Sequence, residues 1–105
     1  MAVEILIKRR VKQGSQARQL IPLILQLRAL ATFQPGYISG ESLRDMEHPE
    51  ECLVISTWES IECWNKWKDS KERLTIQKKI EDLIGEKTEY RAYEPMVMYE
   101  PMDAF

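Results

Sequence analysis

Two strand-like runs in tandem, followed at once by a tryptophan-bearing helical stripe, constrain this chain more than any other feature in it. The first run, Tyr37-Ile38-Ser39-Gly40-Glu41-Ser42-Leu43, opens behind a Pro35-Gly36 turn. The second, Cys52-Leu53-Val54-Ile55-Ser56-Thr57-Trp58, follows a polar break, and Glu59-Ser60 then introduces a segment carrying Trp64 and Trp67. Neighbouring strands joined by a short connection pair as an antiparallel hairpin. Large aromatic surface is thereby delivered to one edge of a small sheet, where it serves as a binding cleft or as core.

The flanking segments complete the pattern. From Val3 to Val11 the side chains alternate, with Val3, Ile5, Ile7, Arg9 and Val11 on one side and Glu4, Leu6, Lys8 and Arg10 on the other. Period two over that length reads as a strand. Gly14-Ser15 breaks it, and Ser15 is placed to cap the following helix. Between Gln16 and Ala31, Leu20, Leu23, Ile24, Leu27, Leu30 and Ala31 recur at helical spacing. Pro22 is discordant there, because proline removes a hydrogen bond and clashes with the preceding turn; a kink is expected. After strands over about 37–44 and 52–58, Ser60 is a plausible cap for a helix bearing Ile61, Trp64 and Trp67. Asp69-Ser70 suggests a bend with a second cap, and Leu74, Ile76, Ile80, Leu83 and Ile84 continue the stripe to a stop at Gly85. Glu89–Tyr93 reads as a fourth strand ended by Pro95, with Met96-Val97-Met98-Tyr99 a potential extension. The fold class is α+β: a ferredoxin-like βαββαβ domain with a four-stranded antiparallel sheet over residues 1–95, and a C-terminal extension over 96–105.

A chain of 105 residues makes one domain and buries enough surface to stand without disulfide or metal. Fifteen basic against seventeen acidic residues give a net charge of −2 with mixed signs, which argues against a nucleic-acid footprint. The one basic cluster, Lys8-Arg9-Arg10, splits between two faces of a strand and reads as a solvated strand end. No apolar run approaches the length of a membrane span. Met1-Ala2-Val3-Glu4 lacks a basic n-region and no apolar h-region follows, so a cytoplasmic location is expected, with Cys52 and Cys63 as free, space-filling thiols. One histidine and two distant cysteines make no metal pattern, and there is no glycine-rich phosphate motif and no nucleophile elbow.

Both faces of the strands carry apolar groups: Leu53 and Ile55 oppose Val54 and Trp58, and Leu6 opposes Ile5 and Ile7. Helices cover one face of such a sheet, and the other would be too apolar for a soluble monomer. A two-fold homodimer that stacks sheet on sheet resolves this.

At this point the residues resemble a known family. The stretch Pro35-Gly36-Tyr37-Ile38-Ser39-Gly40-Glu41, the run Leu53–Ser60 and the following Trp64-Asn65-Lys66-Trp67 are similar to the antibiotic biosynthesis monooxygenase domain, over roughly residues 2–94. The resemblance implies a dimeric α+β barrel and, among other activities, cofactor-independent oxygenation of quinols or aromatic polyketides, or heme degradation. The heme-degrading branch uses an Asn on the first strand, a Trp on the helix after the third, and a His ten residues beyond that Trp. Trp67 matches the Trp, but Ile7 and Gln77 stand at the other two positions. Amide oxygen is a poor iron ligand beside imidazole, so no heme and no other cofactor is expected.

The resemblance makes a cofactor-independent monooxygenase acting on a small aromatic or quinol the first functional expectation. A non-catalytic, dimeric small-molecule-binding or stress-associated module of the same fold is the second. The candidate site residues are Trp67, Asn65 and Tyr37, which could wall and orient a flat ligand, with Tyr90, Arg44 and Arg91 as further groups able to hold a phenol or its anion. Trp58 and Trp64 fit core packing better, Arg44 and Arg91 fit surface ion pairs equally well, and the lone His48 fits an exposed loop better than a general base. Sedimentation at micromolar concentration is expected to show a dimer; a stable monomer would remove the argument from the second sheet face.

Overall fold

The computed structural model describes residues 2–12 and 14–96. Its elements run β1 (Val3–Arg10), α1 (Ser15–Ala31), β2 (Tyr37–Arg44), β3 (Glu51–Trp58), α2 (Ile61–Lys68), α3 (Lys71–Ile84) and β4 (Glu89–Tyr93). The four strands form one antiparallel sheet in the order β2-β3-β1-β4. This is the ferredoxin-like α+β arrangement expected from the element order. Beyond Met96, the C-terminal extension lies outside the described residues.

The alternation of β1 decides which side of the sheet is interior. Val3, Ile5, Ile7 and Arg9 are buried, while Glu4, Lys8 and Arg10 are exposed and Leu6 is half-buried. Ile5, Trp58 and Ile80 are fully buried, and Trp64, Trp67, Ile76 and Ile84 complete that end of the core. Leu74, expected in the buried stripe of α3, is 49% exposed, because the face that packs on the sheet carries Arg73, Ile76, Gln77, Ile80 and Ile84 instead.

Helix ends follow the side-chain chemistry except at α1. Ser60 accepts a hydrogen bond from the Cys63 N–H and Ser70 one from the Arg73 N–H, each at 3.2 Å, so one polar break ends α2 and caps α3. Gly85 closes α3 in the left-handed conformation. At α1 the expected Ser15 cap is absent: Gly14 is the cap residue and Ser15 already lies in the helix. Gln16 replaces it, accepting from the Lys12 N–H at 2.7 Å and donating to the Leu83 carbonyl at 2.9 Å, which ties the start of α1 to the end of α3. α1 continues through Pro22, whose exposed position leaves the freed carbonyl to water.

The Pro35-Gly36 turn is held by its neighbours. Gly36 has φ 85°, and a Cβ there would stand 2.5 Å from Cys63 Sγ. Its carbonyl accepts from the Glu59 N–H at 2.7 Å, which pins the turn to the end of β3. Any side chain must therefore both adopt a disfavoured backbone and displace Cys63. Gly36→Ala is expected to cost about 2 kcal/mol or more in urea unfolding. Adding Cys63→Ala should recover only the Sγ part of the steric cost, because the Cβ of residue 63 still stands 2.7 Å from the new methyl, and the cost of positive φ remains. An unchanged midpoint for the single variant would refute this account of the turn.

Candidate functional site

The inner sheet face is organised in rows set by strand register. Arg44, Cys52 and Arg9 lie side by side across β2, β3 and β1. The next row is Ser42, Val54, Ile7 and Tyr90, then Gly40, Ser56, Ile5 and Ala92, then Tyr37, Trp58 and Val3. Tyr37 reaches this face only because β2 carries an irregularity between Tyr37 and Ser39. The extra residue, Ile38, reverses the alternation, so Tyr37 and Gly40 point to the same side. Gly40 leaves room for it: a Cβ there would be 2.7 Å from the Tyr37 hydroxyl.

Above these rows α1 leaves a cleft. Its inner chamber, about 60 Å3, is walled by Ile7, Leu27, Tyr37, Trp64, Trp67 and Arg73 among others. The outer chamber, about 340 Å3, is bounded by Leu20, Ile21, Leu25, Leu43, Arg44 and Cys52 among others. Arg9, Ile24, Arg28, Ser42 and Val54 line both, so the two are one cleft with a common junction. Ile21 and Leu25, more than half exposed on α1, give its mouth an apolar lip.

Aromatic rings form a continuous contact chain beside the inner chamber. Tyr37 meets Trp58 edge-on at 5.4 Å, Trp58 meets Trp64 at 5.8 Å, and Trp64 meets Tyr90 at 5.9 Å. Trp58 is fully buried, with its indole N–H on Ser56 Oγ at 2.6 Å, and does not line the cleft. Trp64 and Trp67, each 4% exposed, are core residues that also wall the inner chamber. Of the candidates read from the sequence, Trp67 and Tyr37 therefore meet at the inner chamber, whereas Asn65 is exposed on the solvent side of α2 and lines neither chamber. Arg44 lines the outer chamber, while Arg91 is exposed on the opposite sheet face in register with Leu6. Neither is in an ion pair among the described residues. His48 is exposed in the connection between β2 and β3, its N–H bonded to Asp45 Oδ1, and lines neither chamber.

The largest surprise is Arg9. Read as part of a solvated strand end, it is 3% exposed and lines both chambers; only its neighbours Lys8 and Arg10 face water. Its Nη2 donates to Gln77 Oε1 at 3.0 Å, and Gln77 passes hydrogen bonds on to Thr88 Oγ1 at 2.7 Å and Glu81 Oε2 at 2.9 Å. The Arg9 Nε–H is buried with no partner among the described residues. Desolvation, with repulsion from Arg73 adding to it, lowers its pKa to about 10, so the group remains cationic at neutral pH. Arg73, 2% exposed, donates to the Tyr90 hydroxyl at 2.7 Å and sits 5.4 Å over Trp64 and 5.2 Å over Tyr90. Arg28 bridges from α1 to the Gly40 carbonyl. Among the described residues four arginines thus line the cleft, and no Asp or Glu does. The signal was present in the alternation of β1, which puts Arg9 on the same side as Ile5 and Ile7; Arg28 and Arg73 carry no such mark.

Heme does not fit these residues. Gln77 is buried and its amide is committed to Arg9, Thr88 and Glu81, Ile7 offers no polar atom, and the space beside Trp67 is far smaller than a porphyrin. Among the described residues no cluster of His, Cys, Asp and Glu could hold a metal ion, and no helix is long and apolar enough to cross a membrane.

The fold has close relatives among solved structures. A conserved protein from Methanosarcina mazei Go1 superposes with a TM-score of 0.82 at 18% identity, covering 91% of this chain and 94% of that one. SnoaB, a cofactor-independent oxygenase from Streptomyces nogalater, superposes with a TM-score of 0.78 at 15% identity, covering 95% and 98%. Rv0793 from Mycobacterium tuberculosis gives 0.78 at 11% identity, covering 91% and 96%. Likeness at such identity carries the fold and not the activity. No protein of curated function matches the chain. At the level of sequence the assignment is firmer: the profile described as antibiotic biosynthesis monooxygenase matches residues 2–79, and the chain belongs to that family.

Proposed function

We propose that this protein is a monooxygenase that uses molecular oxygen on a small hydroxylated aromatic, without a bound cofactor. The observation that carries the reading is the cleft itself: an apolar trough under α1, closed at one end by Trp67 and Tyr37, with cationic and no carboxylate side chains on its walls. The ring of such a substrate would lie in the outer chamber, within the usual size range for small-molecule sites. A neighbouring structure named as a cofactor-independent oxygenase supports the same chemistry.

The residues suggest how a cofactor could be dispensed with. Among the described residues neither a carboxylate nor a histidine lines the cleft, so none of them is placed as a conventional general base. The guanidinium groups would instead stabilise the phenolate, lowering its pKa so that solvent accepts the proton. A phenolate has carbanion character at its ring carbons, and one of these can add oxygen to form a hydroperoxide. Loss of water then leaves a quinone, with one oxygen atom in the product and the other in water.

A second reading, a non-catalytic binding module, draws on the small inner chamber, which is too tight beside Trp67 to hold a ring. In either case we propose a homodimer. Leu6 and Ile55 lie opposite one another on the helix-free sheet face, with Leu53 and the 42% exposed Leu43 paired next to them. A second copy would cover that stripe.

Oxygen consumption with a panel of quinols and hydroxylated naphthalenes separates the readings. Uptake that requires the protein, and falls about tenfold or more in Ile24→Ala through loss of ring positioning at a wall shared by both chambers, is the expected result. Ligand binding without any uptake would instead favour the module. Heme titration is expected to leave the Soret band of free heme unshifted.

A further inference from the structure

The arginines at the cleft junction are arranged for an anion that none of the described residues supplies. A guanidinium taken out of water must recover its lost hydration through hydrogen bonds and opposite charge. Arg9 recovers little: one bond to a neutral amide, an unmatched Nε–H, and its nearest acidic relay, Glu81, one side chain further off behind Gln77. Arg73 leans on a hydroxyl, the Lys68 carbonyl and two ring faces. Neither buried group is in an ion pair among the described residues. Two like charges are thus held in one cleft of a chain whose net charge is −2. Acidic residues are plentiful, and none among the described residues lines that cleft.

We propose that the junction between the two chambers is an oxyanion-recognition site, and that the ligand is an aromatic carboxylate whose carboxylate group binds Arg9 and Arg28. Both residues line both chambers, so an anion held there leaves its ring free to lie along Ile21, Ile24 and Leu25. The planar guanidinium fork matches a carboxylate in geometry as well as charge. The apolar walls bind the ring and the arginines select the acid. This rests on the cleft being the ligand site, but not on the cleft performing oxygen chemistry.

The test is binding, read by quenching of tryptophan fluorescence, with 1-hydroxy-2-naphthoate and its methyl ester as probes. The two share ring and phenol and differ in the charged group. The acid is expected to bind at least about tenfold tighter than the ester, the size of one charge-assisted hydrogen-bond pair. Arg9→Gln and Arg28→Gln should each weaken the acid about tenfold and the ester far less, so that the preference for the acid narrows. Arg28 is half-buried, so its variant remains informative if Arg9→Gln folds poorly. Equal affinity for acid and ester, or a preference untouched by Arg28→Gln, would overturn the proposal while leaving the oxygenase reading standing. Failure of both probes to bind at millimolar concentration would overturn both.

Discussion

The structure depends on a sheet that is buried tightly on one half of its inner face and loosely on the other. Ile5, Trp58 and Ile80 have no solvent exposure, and around them α2 and α3 bring down Trp64, Trp67, Ile76 and Ile84. A buried Trp contributes several kcal/mol through area alone. Over β2 and β3 the cover is α1, of which only Leu20, Leu27 and Ala31 are buried, and none of them completely. The space not filled there is the cleft. A well-packed half holds the geometry, and the under-packed half is left available to a ligand.

That division explains where the irregular features fall. The extra residue at Ile38, the bare backbone of Gly40 and the bridge from Arg28 all lie along β2 under α1. The extra residue and the bare glycine place the Tyr37 ring at the inner chamber, and the Arg28 bond ties α1 to the strand beside it. Bulges beside binding sites commonly re-aim a side chain in this way. Gln77 has a comparable position on the other side. It stands where an iron ligand stands in the heme-degrading branch, yet here it joins Arg9 on β1 to Thr88 just ahead of β4. Gln77 is a polar strut that holds a cation in place.

Most of the fold could be read from periodicity. Alternation in Val3–Val11, the Ser60 and Ser70 caps and the Gly85 stop are local signals, and the structure follows them because each is satisfied within a few residues. The failures have physical causes. Ser15 lost its role because Gln16 could bond both Lys12 and Leu83, a partner 67 positions away. The fate of Arg9 was half legible: its register with Ile5 and Ile7 placed it inward, but the usual solvation of arginine argued against burial. Only knowledge of Gln77 on another element makes its burial tolerable.

The sequence by itself therefore determined the element order, the antiparallel sheet, the alternation of β1 and β3 and the family, since these rest on local pattern. The tertiary structure alone decided that Tyr37 and Trp67 share a chamber, that Asn65 does not, and that four arginines from β1, α1, β2 and α3 converge on one cleft without an acid among them. Convergence of that kind depends on strand register and helix placement. Those are set by packing between residues distant in the chain, and no local stretch of sequence carries them.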